Sequence, residues 1–134
     1  MKFPYARFGS YYMPVIPVTL VYGDHCLVTE ALVDSGAASN IFDAQFAHAL
    51  GIPDLESGST MQFEGVSGHV LVGYQHTFTL EIGGNRITDI PIAFSAEMPD
   101  NAVNILGQRG FFDHWPVKFT YAKKEIELMA FPRL

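Results

Sequence analysis

The sequence predicts a mostly β domain carrying one or two short helices. Turn signals recur at short intervals, at Gly23-Asp24, Gly36, Gly58, Gly65 to Gly68, Gly83-Gly84-Asn85 and Pro99-Asp100-Asn101. The runs between them are rich in Val, Ile, Phe, Tyr and Thr, residue types that suit a pleated, half-buried surface. In "TFTLEI", Thr77, Thr79 and Glu81 alternate with Phe78, Leu80 and Ile82, so one face of that strand is buried and the other solvated.

The first hairpin runs from Val15 to Val33, turning at Tyr22-Gly23-Asp24-His25, and leads directly to Asp34. Asn40-Ile41-Phe42 then resumes extended structure. Asp43 is placed to cap a short helix that carries Phe46, Ala49 and Leu50 at helical spacing, and Gly51 closes it. A second hairpin is written in "STMQFEGVSGHVLVGY", with Gly65-Val66-Ser67-Gly68 as its tip. A third joins "YQHTFTLEI" to "RITDIPIAF" through Gly83-Gly84-Asn85.

"VNILG" is the next apolar run, ending at Gly107. "QRGFFDHW" reads as a short helix with Phe111, Phe112 and Trp115 toward the core, ended by Pro116. The last hairpin begins at Val117, with Val117, Phe119 and Tyr121 on one face and a Lys123-Lys124 turn before Ile126 and Leu128.

At 134 residues these elements make a single domain, 1–134, with enough chain for a core and too little for two lobes. Hydrophobic residues make up 49% and charged residues 16%, the balance of a packed domain. A net charge of −6 with scattered Lys and Arg offers no footprint for a phosphate backbone or an anionic bilayer, so neither nucleic acid nor a membrane is an expected partner. No apolar stretch reaches the roughly 18 to 20 residues of a membrane span, and the N-terminus has no continuous apolar core of a signal peptide. Cys26 has no cysteine to pair with and reads as core packing. The expectation is a soluble, unprocessed, cytoplasmic protein.

His25, His48, His69, His76 and His114 are dispersed, without metal-ligand spacing, so no metal is expected. The stretch that asks for chemistry is "ALVDSGAASNIF", in which Ala31-Leu32-Val33 delivers Asp34 into a turn of small residues. A carboxylate at a strand end, followed by a small hydroxyl residue and a glycine, can be held by backbone N–H groups and open to a cleft. The tripeptide alone also reads as a polar turn, because chance puts Asp-Ser/Thr-Gly into a chain of this length about one time in twenty.

Taken in order, the chain resembles the single-domain, retropepsin-like aspartic proteases, from Pro14 to Leu128. Leu32-Val33-Asp34-Ser35-Gly36-Ala37, the flap-like Phe63 to Val70, and Asn104-Ile105-Leu106-Gly107 carry the resemblance. It implies a closed retropepsin-like acid-protease barrel, active as a homodimer. The active site would lie between two copies, Asp34 facing Asp34, since the chain has a single Asp-Ser-Gly. The implied activity is that of an aspartic endopeptidase acting on an extended peptide or protein substrate without metal or cofactor.

In that family's terms Asp34, Ser35 and Gly36 are the catalytic residues. Ser35 would bond across the dimer, and Gly36 would leave room for the substrate backbone. Ala37, Ala38, Gly65, Val66, Ser67, Gly68 and Ile105 are the implied substrate contacts, with the glycine-tipped hairpin closing as a flap.

Two departures stand out. Viral members follow the Gly-Ala pair with an aspartate that grips the substrate main chain and pairs with an arginine after the second apolar-apolar-Gly; here those places hold Ala38 and Gln108. Both halves of that pair are missing together, which places the chain nearer the retroelement-derived or bacterial forms. Arg109 lies one position later than that arginine. The departures motivate an alternative: a non-catalytic dimerisation or peptide-binding module on the same fold. A third reading is a domain separated from a larger polyprotein or scaffold.

Overall fold

The computed structural model describes residues 1–65 and 68–129. In chain order its strands begin with β1 (Lys2–Pro4), β2 (Ala6–Phe8), β3 (Tyr11–Met13), β4 (Val15–Tyr22), β5 (His25–Val33) and β6 (Ile41–Asp43). The helix α1 (Ala44–Ala49) follows, then β7 (Ser59–Glu64), β8 (Val70–Ile82), β9 (Asn85–Ser95), β10 (Asn104–Leu106), β11 (Val117–Thr120) and β12 (Glu125–Leu128).

A seven-stranded sheet in the order β4-β5-β10-β6-β9-β8-β7 carries most of the chain. The first and third hairpins written locally in the sequence form about the turns expected for them. Tyr22 pairs with His25 across the first turn, and Ile82 pairs with Asn85 across Gly83 and Gly84. Both of those glycines have positive φ, 57° and 82°, as a two-residue hairpin turn with the sheet's own twist demands. Other pairings are not local: β6 runs parallel to β9, and β10 runs parallel to β5 and antiparallel to β6, so it threads between strands that precede it by some sixty residues or more. β4 also pairs with β8 from Thr19 to Val21. A small sheet, β1-β12-β11, ties the N-terminal strand to the end of the described chain, and β2 pairs with β3.

Apolar faces of the large sheet meet in one core, where Ile16, Leu20, Phe42, Phe94, Leu80 and Leu106 are fully buried. Phe94 packs on Phe78 and Phe42 with ring centroids 5.1 and 6.4 Å apart, tilted geometries that suit the quadrupoles of aromatic rings. None of the helices among the described residues is long and apolar enough to cross a membrane.

Four local expectations are corrected. Asp43 does cap α1, accepting from the Gln45 N–H at 3.0 Å, yet the buried face is Ala44, Ala47 and Leu50, while Ala49 is exposed. Residues 108–114 form turns interrupted by a bridge from Arg109 to Ser39, and no helix forms over 108–115. Gly110 sits at φ 101°, outside helical backbone, and Asp113 Oδ1 accepts its N–H at 3.1 Å. Phe111 and Trp115 are nevertheless buried, with Phe112 packed against them. Phe119 and Tyr121 are exposed; β11 is an edge strand, with only β12 beside it among the described residues. Cys26 is exposed as well, on the part of β5 next to the first turn.

Candidate active site

β5 loses its last apolar side chain at Val33 and hands the chain to Asp34 at the floor of a cleft. The Asp34 N–H donates to the Leu106 carbonyl at 3.0 Å, continuing the parallel ladder in which Val33 faces Leu106. Ala37 N–H then donates to the Asp34 carbonyl at 3.1 Å, closing the turn. Gly36 N–H reaches back to Asp34 Oδ1 at 2.9 Å, a bond to a charged acceptor that fixes the carboxylate's rotation. Asp34 is half-buried, whereas Ser35 and Gly36 are exposed.

Beneath this turn runs the continuation of β10. Gln108 N–H donates to the Ala37 carbonyl at 2.8 Å and Arg109 N–H to the Ala38 carbonyl at 3.0 Å. That contact requires a residue without a side chain at 107: a Cβ there would lie 2.8 Å from the Ala37 carbonyl oxygen and closer still to that of Ser39. Ile105 pairs with both Leu32 and Ile41, which puts it at the centre of the floor.

Two buried asparagines brace the crossing. Asn40 is fully buried; its Oδ1 accepts from Gly107 N–H at 2.9 Å and its Nδ2 donates to the Pro91 carbonyl at 3.1 Å. Asn104 Oδ1 accepts from Asp43 N–H at 3.0 Å, while its Nδ2 donates to the Glu30 carbonyl at 3.2 Å. Buried amides of this kind persist only when their partners are in place. The sequence reading assigned neither. A signal was there, since each asparagine opens an otherwise apolar triplet, Asn40-Ile41-Phe42 and Asn104-Ile105-Leu106.

The cleft above Asp34 has a volume of about 800 Å³. Its floor includes Gly36, Ala37, Ala38 and Ile105, and its roof is the β7–β8 hairpin through Phe63, Gly65 and Leu71. Of the residues expected at the site, these are brought together with Asp34. Ser35 and Gly68 do not line the cleft, and Val66 and Ser67 lie outside the described residues. Glu64, His69 and Glu97 add polar groups to its wall, and no Lys or Arg lines it among the described residues.

Gln108, one of the two departures, and its neighbour Arg109 are both engaged with the aspartate loop. Gln108 Nε2 donates to the Ser35 carbonyl at 2.5 Å, and Arg109 Nη2 donates to Ser39 Oγ at 3.1 Å. The structure thus gives Gln108 a role in holding the loop that its residue type did not announce. Among the described residues no cluster of three His, Cys, Asp or Glu side chains comes together to hold a metal ion.

An apolar strand that delivers one aspartate, a second chain segment threaded beneath it and a hairpin roofing the cleft define the retropepsin-like class of fold. The structure is similar to the crystal structure of a retropepsin-like aspartic protease from Rickettsia conorii, with a TM-score of 0.67 and 17% sequence identity over 96% of this chain and 98% of that one. A family model described as aspartyl protease matches residues 16–109, more than half of the chain, and the chain belongs to that family. No curated protein matches it.

Proposed function

We propose that the protein is an aspartic endopeptidase that works as a homodimer, each copy supplying one Asp34. The observation that carries this reading is the placement of a lone Asp34 carboxylate, braced by Gly36 N–H at 2.9 Å, on the floor of a roofed cleft. Exposure of Ser35 and Gly36 beside it leaves that edge of the loop free to meet a second copy, and the β4–β8 pairing agrees with a closed barrel in each.

Two carboxylates brought within about 3 Å cannot both ionise and share one proton. The ionised one takes a proton from water as its oxygen adds to the scissile carbonyl, and the protonated one donates toward the carbonyl oxygen. The pair titrates as a unit, and activity is greatest on the acid side of neutral. Ser35 bonds across the dimer, Gly36 makes room for the substrate backbone, and the β7–β8 hairpin serves as the flap. An extended peptide suits the cleft because strand edges read main chain by hydrogen bonds and side chains by alternating pockets. Ala37, Ala38, Gly65 and Ile105 are its contacts; Gly68, at the flap tip, meets it on closure.

Mixing wild type with an inactive Asp34→Asn chain tests the shared site. With free exchange of subunits, activity falls as the square of the wild-type fraction if each site needs two copies. A fall in simple proportion contradicts the homodimeric reading.

A further inference from the structure

The β8–β9 ladder reaches Tyr74 and Phe94 and goes no further along β8. Toward the cleft, β8 continues from Gly73 to Val70 with only β7 beside it, pairing Gln62 with Val72, Phe63 with Leu71 and Glu64 with Val70. A two-stranded arm of this sort has little stability of its own. Its root is nevertheless tied down on the open side. Ser95 Oγ donates to the Val72 carbonyl at 2.7 Å, and Val72 N–H donates to the Glu97 carboxylate at 2.7 Å.

Glu97 N–H in turn donates to Ser95 Oγ at 3.1 Å. Both backbone groups of Val72 are therefore held by side chains from the end of β9 and the segment that follows it. Ser95 is fully buried and Glu97 is exposed on the cleft wall. A neutral hydroxyl and a charged carboxylate replace the main-chain bonds that a longer β9 would have made, and the charged bond is the stronger of the two.

We propose that Ser95 and Glu97 are positioning residues: they clasp the β7–β8 arm at Val72 and hold it over the cleft in the form that receives substrate. Val72 is the last point at which the arm is joined to the body of the protein among the described residues, and so acts as its fulcrum. The proposal rests on the protease reading for its consequence in catalysis. Releasing the clasp lets the arm sample positions that do not accept a peptide, and apparent affinity falls with the fraction of molecules in the accepting form. Chemistry at Asp34 in the bound complex is untouched.

Hydrogen exchange of the whole chain and steady-state cleavage of one peptide, compared among wild type, Glu97→Ala and Glu97→Gln, test it. Glu97→Ala should speed exchange in residues 59–64 and 70–72 while β4, β5 and β9 keep their protection, and should raise KM roughly tenfold with kcat within about twofold. Glu97→Gln keeps an acceptor without charge and should fall between. Unchanged exchange in the arm overturns the clasp. Faster exchange with an unchanged KM, or a fall in kcat alone, overturns its role in receiving substrate. If wild type cleaves no peptide, it is the protease reading that fails, and the exchange result alone decides the clasp.

Discussion

Asn40 Oδ1 accepts the Gly107 N–H at 2.9 Å from a position with no exposed surface, and this bond joins the end of the aspartate loop to the strand threaded beneath it. The same amide donates to the Pro91 carbonyl, so one side chain spans three segments far apart in sequence. Replacing it with Ala strands a buried N–H and a buried C=O.

Asn40→Ala should cost about 2–4 kcal/mol of folding stability, since each orphaned buried group carries a penalty of about 1–3 kcal/mol. Denaturant unfolding of the two proteins measures it. A loss below about 1 kcal/mol means that water or a rearranged partner takes up the bonds.

Gly107→Ala should also destabilise, for another reason. The added Cβ meets backbone at Ser39 and Ala37, which has no rotamer by which to move aside. Overpacking of this kind costs typically 1–3 kcal/mol, and the displaced Ala37 turn carries Asp34 with it. Thermal unfolding should show the loss of stability, and cleavage should fall by more than the fraction unfolded. Full activity at a temperature where both proteins are folded would mean the loop does not depend on this approach.

Gln108→Ala separates a local from a global effect. Its bond to the Ser35 carbonyl is at the surface, so stability should change by no more than about 0.5 kcal/mol. The freed Ser35 turn should lower kcat/KM several-fold. Equal kinetics in the two proteins would make Gln108 a bystander.

Local features were legible in the sequence: the Val15 to Val33 hairpin, the Gly83-Gly84 turn and the Asp43 cap each depend on residues a few positions apart. What periodicity does not carry is partnership at a distance. β10 looks like any apolar triplet until β5 and β6 are seen on either side of it. The Asn40 and Asn104 side chains and the Ser95–Glu97 clasp similarly gain their meaning from chain segments brought in by the fold. At 108–115 the apolar spacing was right about Phe111 and Trp115 and wrong about the helix, because burial of those rings does not need helical backbone and Gly110 departs from it. The aspartate itself was legible because an apolar run ending in Asp-Ser-Gly-Ala is informative without any partner, whereas the brace on its loop from Gln108 was not.

Cleavage of a proteome-derived peptide mixture by wild type and Asp34→Asn, followed by mass spectrometry from about pH 4 to 7 where coupled carboxylates act, tests the central claim most directly. Wild type should cut, more strongly toward the acid end, and Asp34→Asn should leave every peptide intact while remaining folded. Equal cleavage by both proteins, or none by a folded dimeric wild type, would contradict it.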